Sequence, residues 1–103
     1  MKYKVIWVKD AVEDLQKIYK FLRAKSLKSA NEATRVIEQS TKKLQLFALI
    51  GKPVEDMQNY YDLSVPHSSY GYKIRYRVQD NYVYIIHVKH FRESDQLDGN
   101  KLC

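Results

Sequence analysis

The sequence predicts an α+β fold in the order β-α-α-β-β-β, a four-stranded antiparallel sheet with a helical hairpin packed on one face. Three observations predict it. Apolar residues recur at steps of three and four in two stretches between residues 11 and 47, the pattern changes to period two after Gly51, and a short β-branched and aromatic run precedes both. With 103 residues, three glycines, two prolines and 45% hydrophobic content, the chain reads as one domain over residues 1–103, with a single core and no linker.

The opening run KYKVIWV, residues 2–8, has the composition of a strand, and Asp10 stops it. Asp10 and Glu13 have capping-box spacing, and Ala11, Leu15, Ile18 and Leu22 follow at helical intervals, which predicts a first helix over about residues 11–25. Ser29 and Glu32 repeat that spacing ahead of Ala30, Ala33, Ile37, Ser40, Leu44 and Phe47, the clearest periodic signal in the chain. The short connection at residues 26–28 makes the two helices an antiparallel hairpin, and a sheet must cover their shared apolar stripe.

Gly51, Pro53 and the polar run 55–59 break the helical pattern. Tyr61, Leu63 and Val65 then alternate with Asp62 and Ser64, Pro66 and the cluster 68–71 turn the chain, and YKIRYRV forms the next strand. Asp80-Asn81 is a tight turn leading into YVYIIHVKH, residues 82–90. Three strands joined by short turns form an antiparallel meander, with the opening strand at an edge or beside the last strand.

Lys and Arg outnumber Asp and Glu by 18 to 12, for a formal charge of +6 and a pI near 9.4. That balance fits an acidic or polyanionic partner, whether nucleic acid, membrane surface or protein segment. The one cysteine, Cys103, permits neither an internal disulfide nor a Cys-based metal site, and His67, His87 and His90 do not fall into a zinc pattern, so no metal and no cofactor is expected. No apolar run approaches the roughly 18 residues of a membrane span and no signal peptide opens the chain, so the expectation is a soluble, cytoplasmic protein without membrane partners.

If Ile74, Tyr76 and Val78 face the helices, pleating turns Lys73, Arg75 and Arg77 to the opposite face. The facing of the last strand is ambiguous; should Tyr84, Ile86 and Val88 be its core set, His87 and Lys89 join those cations, beside Val83 and Ile85. Two readings of that face stay open. Long cationic stems can simply keep an open sheet face soluble and unpaired, or the clustered cations can neutralise phosphates, with His87 as a proton carrier. Five tyrosines in the sheet half (Tyr70, Tyr72, Tyr76, Tyr82 and Tyr84) are explained well enough by strand packing. His90-Phe91-Arg92-Glu93, where the last strand ends, is a second candidate site.

The stretches KVIWVKDAVEDLQKIYKFL, LFALIGKPV and YGYKIRYRVQDNYVYIIHVKHFRES together resemble the RelE/ParE toxin superfamily of type II toxin–antitoxin and plasmid-stabilisation systems, over residues 3 to about 94. In that superfamily the RelE and YoeB branches cleave mRNA on the ribosome, whereas the ParE branch inhibits DNA gyrase. The ending VKHFRES is similar to the ParE type, which carries His90 and Arg92 over as site positions. No tyrosine follows Phe91, and YDLSV holds Asp62 and Ser64 where the RelE branch has a lysine pair.

The resemblance therefore implies a growth-arresting toxin that binds gyrase rather than catalyses, with Lys73, Arg75, Arg77, His90 and Arg92 as its target-binding residues. The alternative it implies is an endoribonuclease acting on ribosome and mRNA, for which His87, His90, Arg75, Arg77 and Arg92 would supply base, acid and charge stabilisation. In either case the implied partner is an acidic antitoxin, through which alone operator DNA would be reached.

Overall fold

A computed structural model of the chain describes residues 2–67 and 70–90. The elements are β1 (Lys4–Trp7), α1 (Lys9–Arg23), α2 (Leu27–Lys43), β2 (Lys52–Pro53), β3 (Tyr60–His67), β4 (Tyr70–Gln79) and β5 (Tyr82–His90). Among these residues no helix is long and apolar enough to cross a membrane.

The sheet has five strands in the order β1-β5-β4-β3-β2 and is mixed, not four-stranded and antiparallel as expected. The meander β3-β4-β5 is antiparallel. β1 runs parallel to β5, with Lys4 opposite Tyr82 and Trp7 opposite Ile85. The helical hairpin accounts for this: it provides the long crossover that parallel neighbours require, and a strand direction set by a crossover leaves no local mark in the sequence. The fifth strand, β2, is a two-residue pairing against β3 in the segment that Gly51 and Pro53 marked as a break. A proline is tolerated there because β2 lies at the sheet edge.

The helices start earlier than the capping boxes indicated. α1 begins directly after β1 with Val8 as N-cap and no side-chain cap, so Asp10 lies inside the helix. α2 is capped by Ser26, whose hydroxyl oxygen accepts from the Ser29 N–H at 3.2 Å. Its stripe of Ala30, Ala33, Ile37 and Leu44 is buried as the periodicity requires. Phe47 is not, at 58% exposed, because the helix ends at Lys43 and the step of three no longer holds beyond it.

The core lies between this stripe, Ala11 of α1 and one face of the sheet: Val65 from β3, Tyr72, Ile74 and Tyr76 from β4, and Val83, Ile85 and Val88 from β5. Burying each of the larger aliphatic side chains contributes about 1.5–3 kcal/mol. β5 does not keep one parity. Arg75 pairs with His87 while Tyr76 pairs with Ile85, so Ile86 is an extra residue in a bulge. The expected core set Tyr84, Ile86 and Val88 is therefore corrected to Val83, Ile85 and Val88, and Val83 and Ile85 are buried rather than on the open face. Beyond the bulge the strand recovers the facing that places His87 opposite Arg75 and Lys89 opposite Lys73.

Candidate target-binding face

The face of the sheet turned away from the helices holds a cross-strand row of Lys4, Tyr82 and Gln79 and three further rows. One runs Tyr60, Arg77, Tyr84 and Ile6. The next runs Lys52, Asp62, Arg75 and His87. The third contains Ser64, Lys73 and Lys89. Each row follows from strand alternation plus register, since residues directly opposite in neighbouring strands share a face.

Lys73, Arg75 and Arg77 stand together on this face, but they are not equivalent. Arg75 is held by Asp62 in a two-pronged ion pair, Nε to Oδ1 at 2.9 Å and Nη2 to Oδ2 at 3.0 Å. That geometry matches the planar guanidinium fork to a carboxylate and fixes the side chain across the β3–β4 seam. Arg77 instead lies over the Tyr60 ring, its Cζ 5.8 Å from the ring centroid. Tyr84, on the other side of Arg77, stacks with Tyr82 at 5.9 Å between centroids.

His87 and Lys89 converge on Asp14 of α1. β1 pairing ends with Val8 N–H donating to the Ile85 carbonyl, so the remainder of β5 forms a sheet edge. Asp14 covers that edge. Its Oδ2 accepts from the Val88 backbone N–H at 3.0 Å and lies 3.2 Å from His87 Nδ1, while Oδ1 is 3.7 Å from Lys89 Nζ. The Asp14 side chain is only 12% exposed against 42% for His87. The Asp14 carboxylate thus stands within hydrogen-bond distance of the His87 ring and ties it to the sheet edge.

His90 is on the other face. It pairs with Tyr72, which is buried, and meets that ring edge-on at 5.6 Å. The structure thus gathers Lys73, Arg75, Arg77 and His87 on one surface and separates His90 from them. Arg92 lies outside the described residues. Sequence reasoning missed Asp14, Tyr60 and Asp62 as partners in this face. Asp62 had a readable signal, an acidic residue in an alternating strand next to a cationic one, whereas Asp14 gave none.

The chain matches the family model described as ParE toxin of type II toxin-antitoxin system, parDE, over residues 5–94. It belongs to the ParE toxin family. Solved structures of toxins share its fold. A chain from the chromosomal ParDE toxin–antitoxin system of P. aeruginosa superposes with a TM-score of 0.75 at 22% identity, over 86% of this chain and 96% of that one. A mutant of the E. coli toxin RelE in its free state gives 0.67 at 16% identity, over the whole of both chains. The toxin–antitoxin complex RelBE2 of Mycobacterium tuberculosis gives 0.59 at 23% identity, over 87% of this chain and 99% of that one. Comparison with curated proteins returned no relative.

Proposed function

We propose that this ParE-family toxin inhibits DNA gyrase by binding it, and that an acidic antitoxin holds it inactive until the antitoxin is degraded. Family membership over residues 5–94 carries the gyrase reading, because gyrase inhibition is the activity that the ParE branch implies. The open face fits a binding role. Cations on β1, β2, β4 and β5 outnumber its carboxylates, and two of its side chains, Arg75 and His87, are already fixed by Asp62 and Asp14. An antitoxin partner is supported by the net charge of +6 and by the M. tuberculosis relative, which was solved as a toxin–antitoxin complex.

A second reading, ribosome-dependent mRNA cleavage, is favoured by one observation. His87, held by Asp14 at Nδ1, stands opposite Arg75, and a histidine beside a guanidinium is a pairing that general-base attack on a phosphodiester by a ribose hydroxyl can use. One experiment separates the two. The purified toxin is expected to block gyrase supercoiling at near-stoichiometric amounts and to leave ribosome-bound mRNA intact. Undisturbed supercoiling together with mRNA cut on the ribosome would reverse the order of the readings.

A further inference from the structure

Of the two arginines in the middle of the open face, one is spent within the molecule and one is not. Asp62 occupies Arg75 in the two-pronged pair. Among the described residues, no carboxylate forms an ion pair with Arg77. Its guanidinium carbon lies over the Tyr60 ring at 5.8 Å from the centroid, a cation–π contact that leaves its N–H donors without a carboxylate partner among those residues. On the other flank Tyr84 stacks on Tyr82, itself 39% exposed, so aromatic surface borders Arg77 from both neighbouring strands.

We propose that Arg77, framed by Tyr60 and Tyr84, is the recognition centre of the open face, and that it takes a carboxylate from an acidic patch on a folded protein. This deepens the target-binding reading above and rests on it. Three features select that occupant. Tyrosine and arginine in a compact, partly desolvated cluster are the residue types that dominate protein–protein hot spots. The row lies in the interior of the sheet, where β4 is paired on both sides, so it offers no free strand edge to an extended or disordered segment. The adjoining row contains Asp62, and Asp14 stands behind His87. Asp62 and Asp14 already pair with Arg75, His87 and Lys89, so the face is a mosaic of both signs, which suits a protein surface of mixed charge with an acidic patch over Arg77 better than a uniformly anionic phosphodiester strand.

The test measures binding of the full-length toxin and its variants Arg77→Ala, Arg77→Lys, Tyr60→Ala and Tyr84→Ala to purified gyrase subunits. Thermal melts accompany every variant. Parallel titrations use short fluorescent single-stranded DNA and RNA oligonucleotides and the cognate antitoxin. The expected result is a loss of gyrase affinity of about tenfold or more for Arg77→Ala and Tyr84→Ala, with Arg77→Lys, which keeps the charge and the stem, recovering only part of it. Wild-type gyrase binding that persists in folded Arg77→Ala and Arg77→Lys overturns the docking site and leaves the gyrase reading standing. A wild-type toxin that ignores gyrase defeats both. Oligonucleotide or antitoxin binding that depends on Arg77 while gyrase binding does not assigns the centre to that other occupant and overturns the proposal.

Discussion

Tyr76 shows how one side chain links loop, sheet and solvent conditions. Its ring is fully buried and stacks on Tyr61 at 5.4 Å, and its hydroxyl oxygen accepts from the Gly51 N–H at 2.9 Å. Gly51 is needed there because a Cβ would lie 2.7 Å from that oxygen. Burial pushes the Tyr76 hydroxyl above its ordinary value of 10.0, outweighing the Gly51 hydrogen bond, which pulls the other way. Above the ordinary value the unfolded chain releases this proton and the folded chain keeps it, so stability falls as pH rises from there through the raised native value. Tyr76→Phe is expected to flatten the alkaline limb of a melting-temperature profile taken over about pH 8 to 11. At neutral pH it should cost about 1–3 kcal/mol, because the Gly51 donor loses its acceptor. An unchanged alkaline slope in Tyr76→Phe would assign that limb to the other tyrosines and lysines. At this scale the sequence was informative about facing and silent about pairing. Alternation alone placed Lys73, Arg75 and Arg77 on one face, but which arginine meets Asp62 depends on the β3–β4 register, which alternation does not specify.

Elements carry the information that single residues could not. YVYIIHVKH contains two adjacent isoleucines, so it supports either parity, and the bulge at Ile86 uses both: one before the extra residue, the other after it. The bulge also brings Val88 to a stretch of β5 that β1 is too short to cover, and α1 fills the gap with Asp14. Capping-box spacing pointed to helix starts and misplaced both. The chain passes from β1 into α1 without a side-chain cap, and Ser26 caps α2 instead of Ser29. Asp14→Ala is expected to destabilise the fold by about 1–3 kcal/mol, since it strips a partner from a backbone donor at a protected edge. Amide exchange at Val88 should accelerate by about tenfold or more, consistent with that loss. Asp14→Asn keeps an acceptor oxygen and should restore most of the Val88 protection while losing the charge that holds His87 and Lys89. Equal exchange at Val88 in all three proteins would show that the edge is protected by something other than this carboxylate.

At the scale of the whole molecule, composition forecast the basic surface, and periodicity forecast two layers. Neither could reveal that the first strand lies parallel to the last. That pairing joins Lys4–Trp7 to Tyr82–Ile85, so the sheet is completed by the two most distant strands of the chain, and the helical hairpin is covered only once they meet. Loop-closure entropy makes such a contact costly to form, and the core that it completes makes it costly to lose. The hairpin should therefore have no stability apart from the sheet. Ala33, Ile37 and Leu44 of α2 share one core cluster with Val65, Ile74, Tyr76, Val83 and Ile85 of the strands, and Leu15, Ile18 and Leu22 of α1 pack against that same cluster. The chain's single tryptophan is well placed to report this, because Trp7 lies on β1 opposite Ile85 and packs against the core. Urea unfolding followed by Trp7 fluorescence, which senses the β1–β5 seam, and by far-UV ellipticity, dominated by α1 and α2, is expected to give coincident curves with one midpoint. Val5→Ala, at the same seam, should shift both curves together. An ellipticity transition lying above the fluorescence transition would mean that the helices outlast the seam, and would contradict a fold completed by its two terminal strands.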